Sequence, residues 1–596
     1  MKKIKTRLAL TFFCLCLLLL SAQSSLAQNT ASAAQPIADA AAQTPSNADE
    51  SANSTVIYTA DSFSQYNPIT ASDMLDRIPG VSLRGGGPGS GRGDRGLGTG
   101  GNLLINGQRI AGKGNSARDQ LDRITAAEVE RIEIIRDTSG ALNVRGASEV
   151  INVILLASQS RSSTTVELVN RLNHDNTLET GGSVAWSKQV GNFQALVNLE
   201  ARPNYENRDN REVRLGPNNE VVGTLFETNI RDQQENTLSS NMSYSLGDHR
   251  MQLNALIREG DHPRPVRRDF VDFTDAGLVN RSEEEDVNRE ESNWEVGGDY
   301  EFSFDDGSRL SVLFVANNEI RNNVRERYSA NPAEEGLSKN LFIDSRQERQ
   351  EFIIQGNYNF SITETQSLRV GIESADTQLD SSLLIGSSSG SEPASASVGG
   401  LSPLLSVSNP GTKVQEIRYE GFAFHNWTLS DRSSLESSLV YETSEISQTG
   451  AVNKTRDFQF WRPSFDYRFN ITENFRFRGT VKRSVSQLSF SSFAATTNEE
   501  DRDLNALAGN PELEPQTSWD YEGQLEYRLP NDGGVISSNI SYSDIDNYIG
   551  RINATIDPNE PLSATGNVAP AKRWAMFNRA SIRLNSLNLP NAILGV

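Results

Sequence analysis

Over most of this chain the apolar side chains recur at every second position. Trp294, Val296, Tyr300, Phe302 and Phe304 alternate with Glu295, Gly297, Asp299, Glu301 and Ser303. Tyr521, Leu525, Tyr527 and Leu529 alternate with Glu522, Gln524, Glu526 and Arg528, and the same period runs through Met251, Leu253, Ala255 and Ile257 and through Trp461, Pro463, Phe465, Tyr467, Phe469 and Ile471. A period of two puts successive side chains on opposite faces of a strand. Sustained over ten or so residues, it outlasts the usual globular strand and predicts strands crossing a bilayer with apolar residues out and polar residues in. A soluble β-sandwich would prefer shorter strands, spaced at about 8–12 residues.

The turns predict how these strands connect. Tight ones fall at Val190-Gly191-Asn192, Leu246-Gly247-Asp248, Asp305-Asp306-Gly307, Thr363-Glu364-Thr365, Ser430-Asp431-Arg432, Thr472-Glu473-Asn474 and Asn531-Asp532-Gly533. They are mostly about 58 residues apart, room for two strands and one long polar connection, such as Arg211 to Gln234, Pro263 to Ser292 and Asp380 to Gln415. Short turns on one rim and long loops on the other are the pattern of an outer-membrane barrel. Phe302, Phe304, Trp427, Phe469 and Phe475 crowd beside the short turns, where an interfacial girdle is expected.

Before residue 159 the pattern is different, and it predicts a small α/β unit over residues 54–158. Thr55-Val56-Ile57-Tyr58 reads as a strand, and Thr70 with Asp73 forms a capping box opening a short helix that ends at Ile78-Pro79. Asn106-Gly107 between apolar runs predicts a type I′ turn. Ser116 to Ile124 reads as a helix, and Thr125 with Glu128 repeats the capping box ahead of the strand from Val129 to Arg136. Val150 to Leu155 is apolar without alternation and is expected to be buried on both faces. Arg84 to Gly101 is the most Gly-rich run, with the mobility of backbone that Gly allows, and it lacks the lysine and spacing of a phosphate-binding loop.

Composition changes the picture in three places. Lys2, Lys3, Lys5 and Arg7, the apolar run Leu8 to Leu20 and Ser25-Leu26-Ala27 predict a secretory signal over residues 1–27, followed by a flexible lead-in over 28–53. Both cysteines, Cys14 and Cys16, lie in that signal, so no thiol chemistry is expected of the mature chain. The net charge of −21 argues against nucleic acid as a partner. With four His and no ordered nucleophile, acid or base, no catalytic residue, metal site or cofactor is expected.

Several of these segments together resemble the TonB-dependent outer-membrane receptors, in which a plug domain fills a 22-stranded barrel. The matching residues are Ile78-Pro79-Gly80-Val81, Arg95-Gly96 ahead of Leu103-Leu104-Ile105-Asn106-Gly107, Val129 to Arg136, Val150 to Leu155, and in the barrel Gly509-Asn510-Pro511-Glu512-Leu513-Glu514-Pro515 followed by Tyr521-Glu522. Two departures stand out: Arg136-Asp137-Thr138-Ser139 replaces the usual Arg-Gly-Pro-Ser, and Asn143-Val144 the usual Tyr-Gly. Nor does any clear energy-coupling box stand in Gln28 to Asn53; Ser54 to Tyr58 has its flavour but suits the first plug strand better.

The resemblance implies active uptake of a bulky, scarce nutrient across the outer membrane, a ferric siderophore by default and an oligosaccharide as the alternative, powered by TonB of the inner membrane. Loop aromatics that could stack on sugar rings are the only support for the oligosaccharide. A receptor that binds without transporting is a third reading. The resemblance gives Arg95, Arg136 and Glu522 as a latch between plug and barrel, with Arg95 equally readable as a solvated loop residue. Arg84, Arg92, Asp94 and Arg95 form the expected substrate-facing apex, or solvated spacers. Counting two strands per short turn yields about 16–17 of the family's 22, the last barely begun at Ile593, and the chain closes on Val596 rather than an aromatic. The expectation is therefore a barrel over 159–596 that is incomplete at its C-terminal end, with an unclosed edge.

Overall fold

A computed structural model describes residues 55–79, 81, 103–107, 120–135, 150–156, 160–330, 336–390, 392–404, 409–450, 452–497, 506–530, 533–555, 562–584, 589 and 592–596. The expected signal sequence and lead-in lie outside them.

The small N-terminal unit is a mixed sheet of β1 (Thr55–Thr59), β2 (Leu103–Ile105), β3 (Val129–Ile135) and β4 (Val150–Leu155) in the order β1-β3-β4-β2. β1 and β4 run antiparallel to β3, and β2 runs parallel to β4. As its unbroken apolar sequence predicts, β4 is interior: Val150, Ile151, Asn152 and Val153 are all buried. Helix α1 (Ala71–Leu75) starts at the Thr70–Asp73 capping box, both of whose bonds are made. Met74, Leu75, Leu121, Ile132, Ile134 and Phe63 close a conventional apolar core. Asn106 (φ 52°) and Gly107 (φ 75°) take the two positive φ values of a type I′ turn. The Asn106 side chain accepts from the Leu155 N–H at 2.8 Å, which fastens that turn to β4.

From Ser160 on, the described residues form a closed antiparallel barrel of eighteen strands, one of them only Ser402–Pro403. The last, Ile593–Gly595, lies between Ala571–Arg583 and Ser160–Leu172 and closes the sheet. This corrects the expected unclosed edge. The strand expected as barely begun at Ile593 is only three residues long, yet it takes the closing place in the ring.

The faces follow the alternation. Met251, Leu253 and Ile257 are exposed on the outside while Gln252, Asn254 and Leu256 point inward. From His249 to Ile257 this band covers about 30 Å of strand at 3.3 Å per residue, or about 23 Å of height at the usual tilt, which matches a hydrocarbon layer. Aromatics edge it: Phe302 and Phe304 meet edge-on at 4.7 Å beside the turn at residues 304–308, with Tyr358 next to them.

The long connections need a second correction. Arg211 to Gln234 and Pro263 to Ser292 are paired ribbons, not loops. Strands Phe193–Leu215 and Val221–Leu246 are joined by a turn at 216–220, and His249–Thr274 and Gly277–Ser303 by two residues. Outside the hydrocarbon layer the outward residues become polar, so the sequence loses its apolar signal while the backbone ladder continues. Within Asp380 to Gln415 the long ladder is interrupted between Ser387 and Asn409, where the described residues hold a helical turn at Ala396–Val398 and the two-residue strand Ser402–Pro403.

Candidate functional site

The interior of the barrel is the site, and it is built from the inward half of the alternation. Near the short-turn rim it holds the plug. Arg123 donates to the Ser239 hydroxyl at 2.6 Å, Arg250 reaches the Asn106 carbonyl at 3.4 Å, and Ser187 donates to Glu128. On the other side Arg583 donates to the Tyr66 hydroxyl at 3.1 Å and to the Arg77 carbonyl at 2.9 Å. Among the described residues Leu196 of the wall packs against the plug core. Between plug and wall lies a cleft of about 130 Å³, bounded by Ile105, Gln120, Glu128, Asn241 and Arg250. That is space for a few waters. Hydrogen bonds of this kind beside a wettable cleft can exchange partners with water, because each is worth only about 1 kcal/mol net.

Farther from that rim the inward face is ionic. Arg268 donates to Glu227 at 2.7 Å and to Glu283 and Glu285 at 3.0 Å each, and Arg325 pairs with Glu285 at 2.9 Å. Burial alone would raise the Glu285 carboxyl, yet Arg325 and Arg268 hold it below the usual carboxylate range. A second buried group joins Arg418 to Glu373 at 2.8 Å and Arg462 to Glu420 at 2.8 Å. These ions cross-link neighbouring strands from the lumen, the face that carries no lipid.

The far rim is partly covered. Leu488, Phe490, Phe493 and Leu513, from the connection after Val485, pack onto Leu379, Val414 and Ile446 of the wall. A four-stranded sheet of Thr496–Thr497, Ala506–Ala508, Ser563–Asn567 and Ile549–Asn553 is shared between that connection and the one from Asp546 to Ala571. The Gly509 to Pro515 segment ties them together. Asn510 donates to the Thr565 carbonyl at 2.9 Å, the Glu514 N–H donates to Asn567 at 2.8 Å, and Asn567 donates back to the Glu514 carbonyl at 3.0 Å. Lys454 pairs with Glu512, and Arg456 donates to the Leu513 carbonyl.

Of the residues expected from sequence, Arg84, Arg92, Asp94, Arg95 and Arg136 lie outside the described residues. Glu522 is on the lumenal side of Thr517–Leu529, where it accepts from Asn539. Sequence reasoning missed Arg123, Arg250 and Arg583 as plug contacts. Nothing in a period-two pattern distinguishes one inward arginine from another. Glu128 was visible only as a capping residue, and its second carboxylate oxygen is the one that meets the wall.

Comparison with known proteins agrees with this arrangement. Residues 226–574 match the family model described as TonB dependent receptor-like, beta-barrel, and residues 47–150 match that of the TonB-dependent Receptor Plug Domain. Among solved structures, the alcaligin outer-membrane receptor FauA of Bordetella pertussis is similar at 12% identity over 90% of this chain and 78% of its own, with a TM-score of 0.41. The hemophore receptor HasR of Serratia marcescens matches at 13% identity, 89% and 79% coverage and 0.46. The siderophore receptor PirA of Pseudomonas aeruginosa matches at 15%, 89% and 82%, and 0.45. No curated protein sequence matches.

Proposed function

The chain belongs to the TonB-dependent receptors, non-enzymatic transporters of the Gram-negative outer membrane, and from that premise we propose that its cargo is an anionic ferric siderophore. One observation supports this reading. In a chain of net charge −21 the lumenal wall beyond the plug brings Arg231, Arg264 and Arg289 around one small cavity. An anionic ligand would meet these guanidinium groups by exchanging with the partners they already hold, as Arg289 holds Glu291 at 3.1 Å.

In this reading cargo enters from the ribbon side and settles between the wall and the plug apex at Arg84, Arg92, Asp94 and Arg95. TonB then pulls on the segment before Thr55. The contacts of Arg123, Arg250 and Arg583 exchange for water, and the plug shifts or unfolds enough to open a path. Arg95, Arg136 and Glu522 act as the latch, so Arg136→Ala should raise passive permeability to a bulky antibiotic. Residues 1–27 are the export signal, 28–53 the lead-in, 54–158 the plug and 159–596 the barrel.

The test is uptake in a host that lacks its own siderophore receptors. Cells expressing this chain are expected to take up radioactive iron from at least one anionic ferric siderophore, and to stop when TonB is deleted. TonB-dependent uptake of a neutral oligosaccharide with no iron uptake would overturn the siderophore reading.

A further inference from the structure

The short strand Ile593–Gly595 stands between Ala571–Arg583 and Ser160–Leu172, and its ladder to the former is only Ser581↔Gly595, Ile582↔Leu594 and Arg583↔Ile593. Val596 adds a reciprocal pair of backbone bonds with Ala580, at 2.9 and 3.0 Å. From Ala571 to Arg579 that strand is laddered to Gly534–Asp546 on one edge, and among the described residues its other edge carries no ladder. Ser160–Leu172 is paired along its whole length with Leu178–Val190, and among the described residues its other edge meets the ring only through the short strand. Away from the short-turn rim, a seam therefore runs up the wall for about 30 Å of strand at 3.3 Å per residue.

Side chains on both banks record the missing neighbour. On the lipid side Val166, Leu168 and Trp574 are 70%, 71% and 72% exposed, against 44% for Leu525 and 45% for Leu439 on strands flanked on both sides. Trp574 packs on Tyr542 at 4.4 Å, and Tyr542 on Tyr521, so this bank stands at the height of its neighbours' lipid-facing aromatics. On the lumenal side Val169 and Phe577 are exposed, whereas Val315 and Ile353 of flanked strands are fully buried. Glu167 on one bank and Arg573 and Arg579 on the other also face the lumen, exposed, and their side chains hold no partner among the described residues. Backbone groups in hydrocarbon have no water to turn to, and a lipid tail offers them nothing. Only another strand satisfies such an edge.

Strand direction decides which strand fits. The successive ladders that lead from Ser160–Leu172 round the wall to Ala571–Arg583 are all antiparallel and odd in number, so the two banks run in opposite senses. Within one chain the short strand stands between them. Two copies in one membrane share an orientation. A twofold axis along the membrane normal then sets Ser160–Leu172 of each copy against Ala571–Arg583 of the other, antiparallel, and brings the Glu167 bank to the Arg573 and Arg579 bank. A contact of this isologous kind is complete with two copies and leaves no edge over.

We propose that the seam is an interface for a second copy of this chain, in which the two edge strands of one copy pair with those of the other and opposite charges meet on the lumenal face. The proposal is independent of which cargo the receptor carries.

The experiment is disulfide trapping in the outer membrane. Cys14 and Cys16 fall in the expected export signal, so single cysteines can be placed on a chain otherwise free of thiols. Two differently tagged full-length copies are expressed together, one with Leu168→Cys and the other with Trp574→Cys, Met576→Cys or Asn578→Cys in turn, and isolated membranes are oxidised with copper phenanthroline. At least one combination is expected to give a disulfide-linked band that carries both tags at twice the chain mass. Leu439→Cys in both copies, away from the seam, should stay monomeric. Adding Glu167→Arg to the Leu168→Cys copy should lower the linked fraction by about threefold, because like charges then face each other across the pair. Each variant is read only on protein that keeps the wild-type shift in gel mobility on heating, which reports a folded barrel. No linked band in any combination, equal linking at Leu439→Cys, or an undiminished yield with Glu167→Arg overturns the interface. So does a link formed only within one chain in the double variant Leu168→Cys/Met576→Cys, which would show that the two banks close on each other in a single copy.

Discussion

In the plug sheet Ile132, Ile134, Ile151 and Val153 are buried, while in the surrounding wall Ile257, Trp294 and Leu253 are exposed and Arg268, Glu283, Glu285 and Arg325 are buried. The two regions use one chemistry in opposite senses. The plug has water around it and hides apolar surface from that water. The wall has lipid around it, so its apolar residues gain nothing by turning inward, and charges such as Arg268, Glu283 and Glu285 pair with one another on the lumenal side. The plug is thus held together by packing, the wall by its backbone ladder and by ions that bridge adjacent strands. Where the described residues of the two meet, both devices are present: hydrogen bonds from Arg123 and Arg583, and Leu196 packed on the plug core.

This contrast can be broken from either side. Phe63→Ala removes a fully buried ring from the plug core and should cost about 3–5 kcal/mol of plug stability. Urea unfolding followed at a probe on the plug should shift, while heat-dependent gel mobility of the barrel stays as in wild type. Loss of the folded barrel would show that the two regions share one core.

Arg325→Met leaves Glu285 with Arg268 alone in a buried site, and should cost the wall about 3 kcal/mol in reversible unfolding from lipid vesicles. Adding Glu285→Gln should recover much of that loss. If the single variant is neutral, the lumenal ions do not hold the strands.

Leu253→Arg, at the middle of the exposed band, should cost about 2–4 kcal/mol in the same assay. The same change at Val279, in the ribbon outside the lipid, should be close to neutral. Equal effects at the two positions would misplace the membrane.

The smallest effect expected is on pH dependence. His262 has its folded-state pKa below the ordinary 6.5, through burial and Arg289, with Glu291, Glu235 and Asp261 opposing. The unfolded ring therefore takes up its proton at a higher pH than the folded one, and the wall loses stability as pH falls from about 6.5 through the folded value. His262→Gln should flatten that decline between about pH 6.5 and 5, and a decline of unchanged slope would place His262 in an unperturbed setting.

Much of the architecture can be read from residues alone, and the reasons differ by element. The capping boxes at Thr70–Asp73 and Thr125–Glu128 and the Asn106-Gly107 turn are local chemistry, with every partner within a few residues, and all are in place. The tight turns Gly247-Asp248 and Glu364-Thr365 are equally local, and strand ends fall beside them. The ribbons were legible only as polar sequence, because alternation in water has no apolar face to mark it. The plug contacts of Arg123, Arg250 and Arg583 were not legible, since each depends on a partner between 116 and 517 residues away.

The sequence by itself determined which residues face lipid, which face the lumen and where the chain turns back, because a period of two and the φ demands of turns are properties of a few adjacent residues. Closure of the barrel through Ile593–Gly595, the ions shared among strands and the seam beside that short strand were decided only by the tertiary structure. Alternation assigns a side chain to a face, but register between strands assigns it a partner, and register is set by the whole ring of neighbours at once.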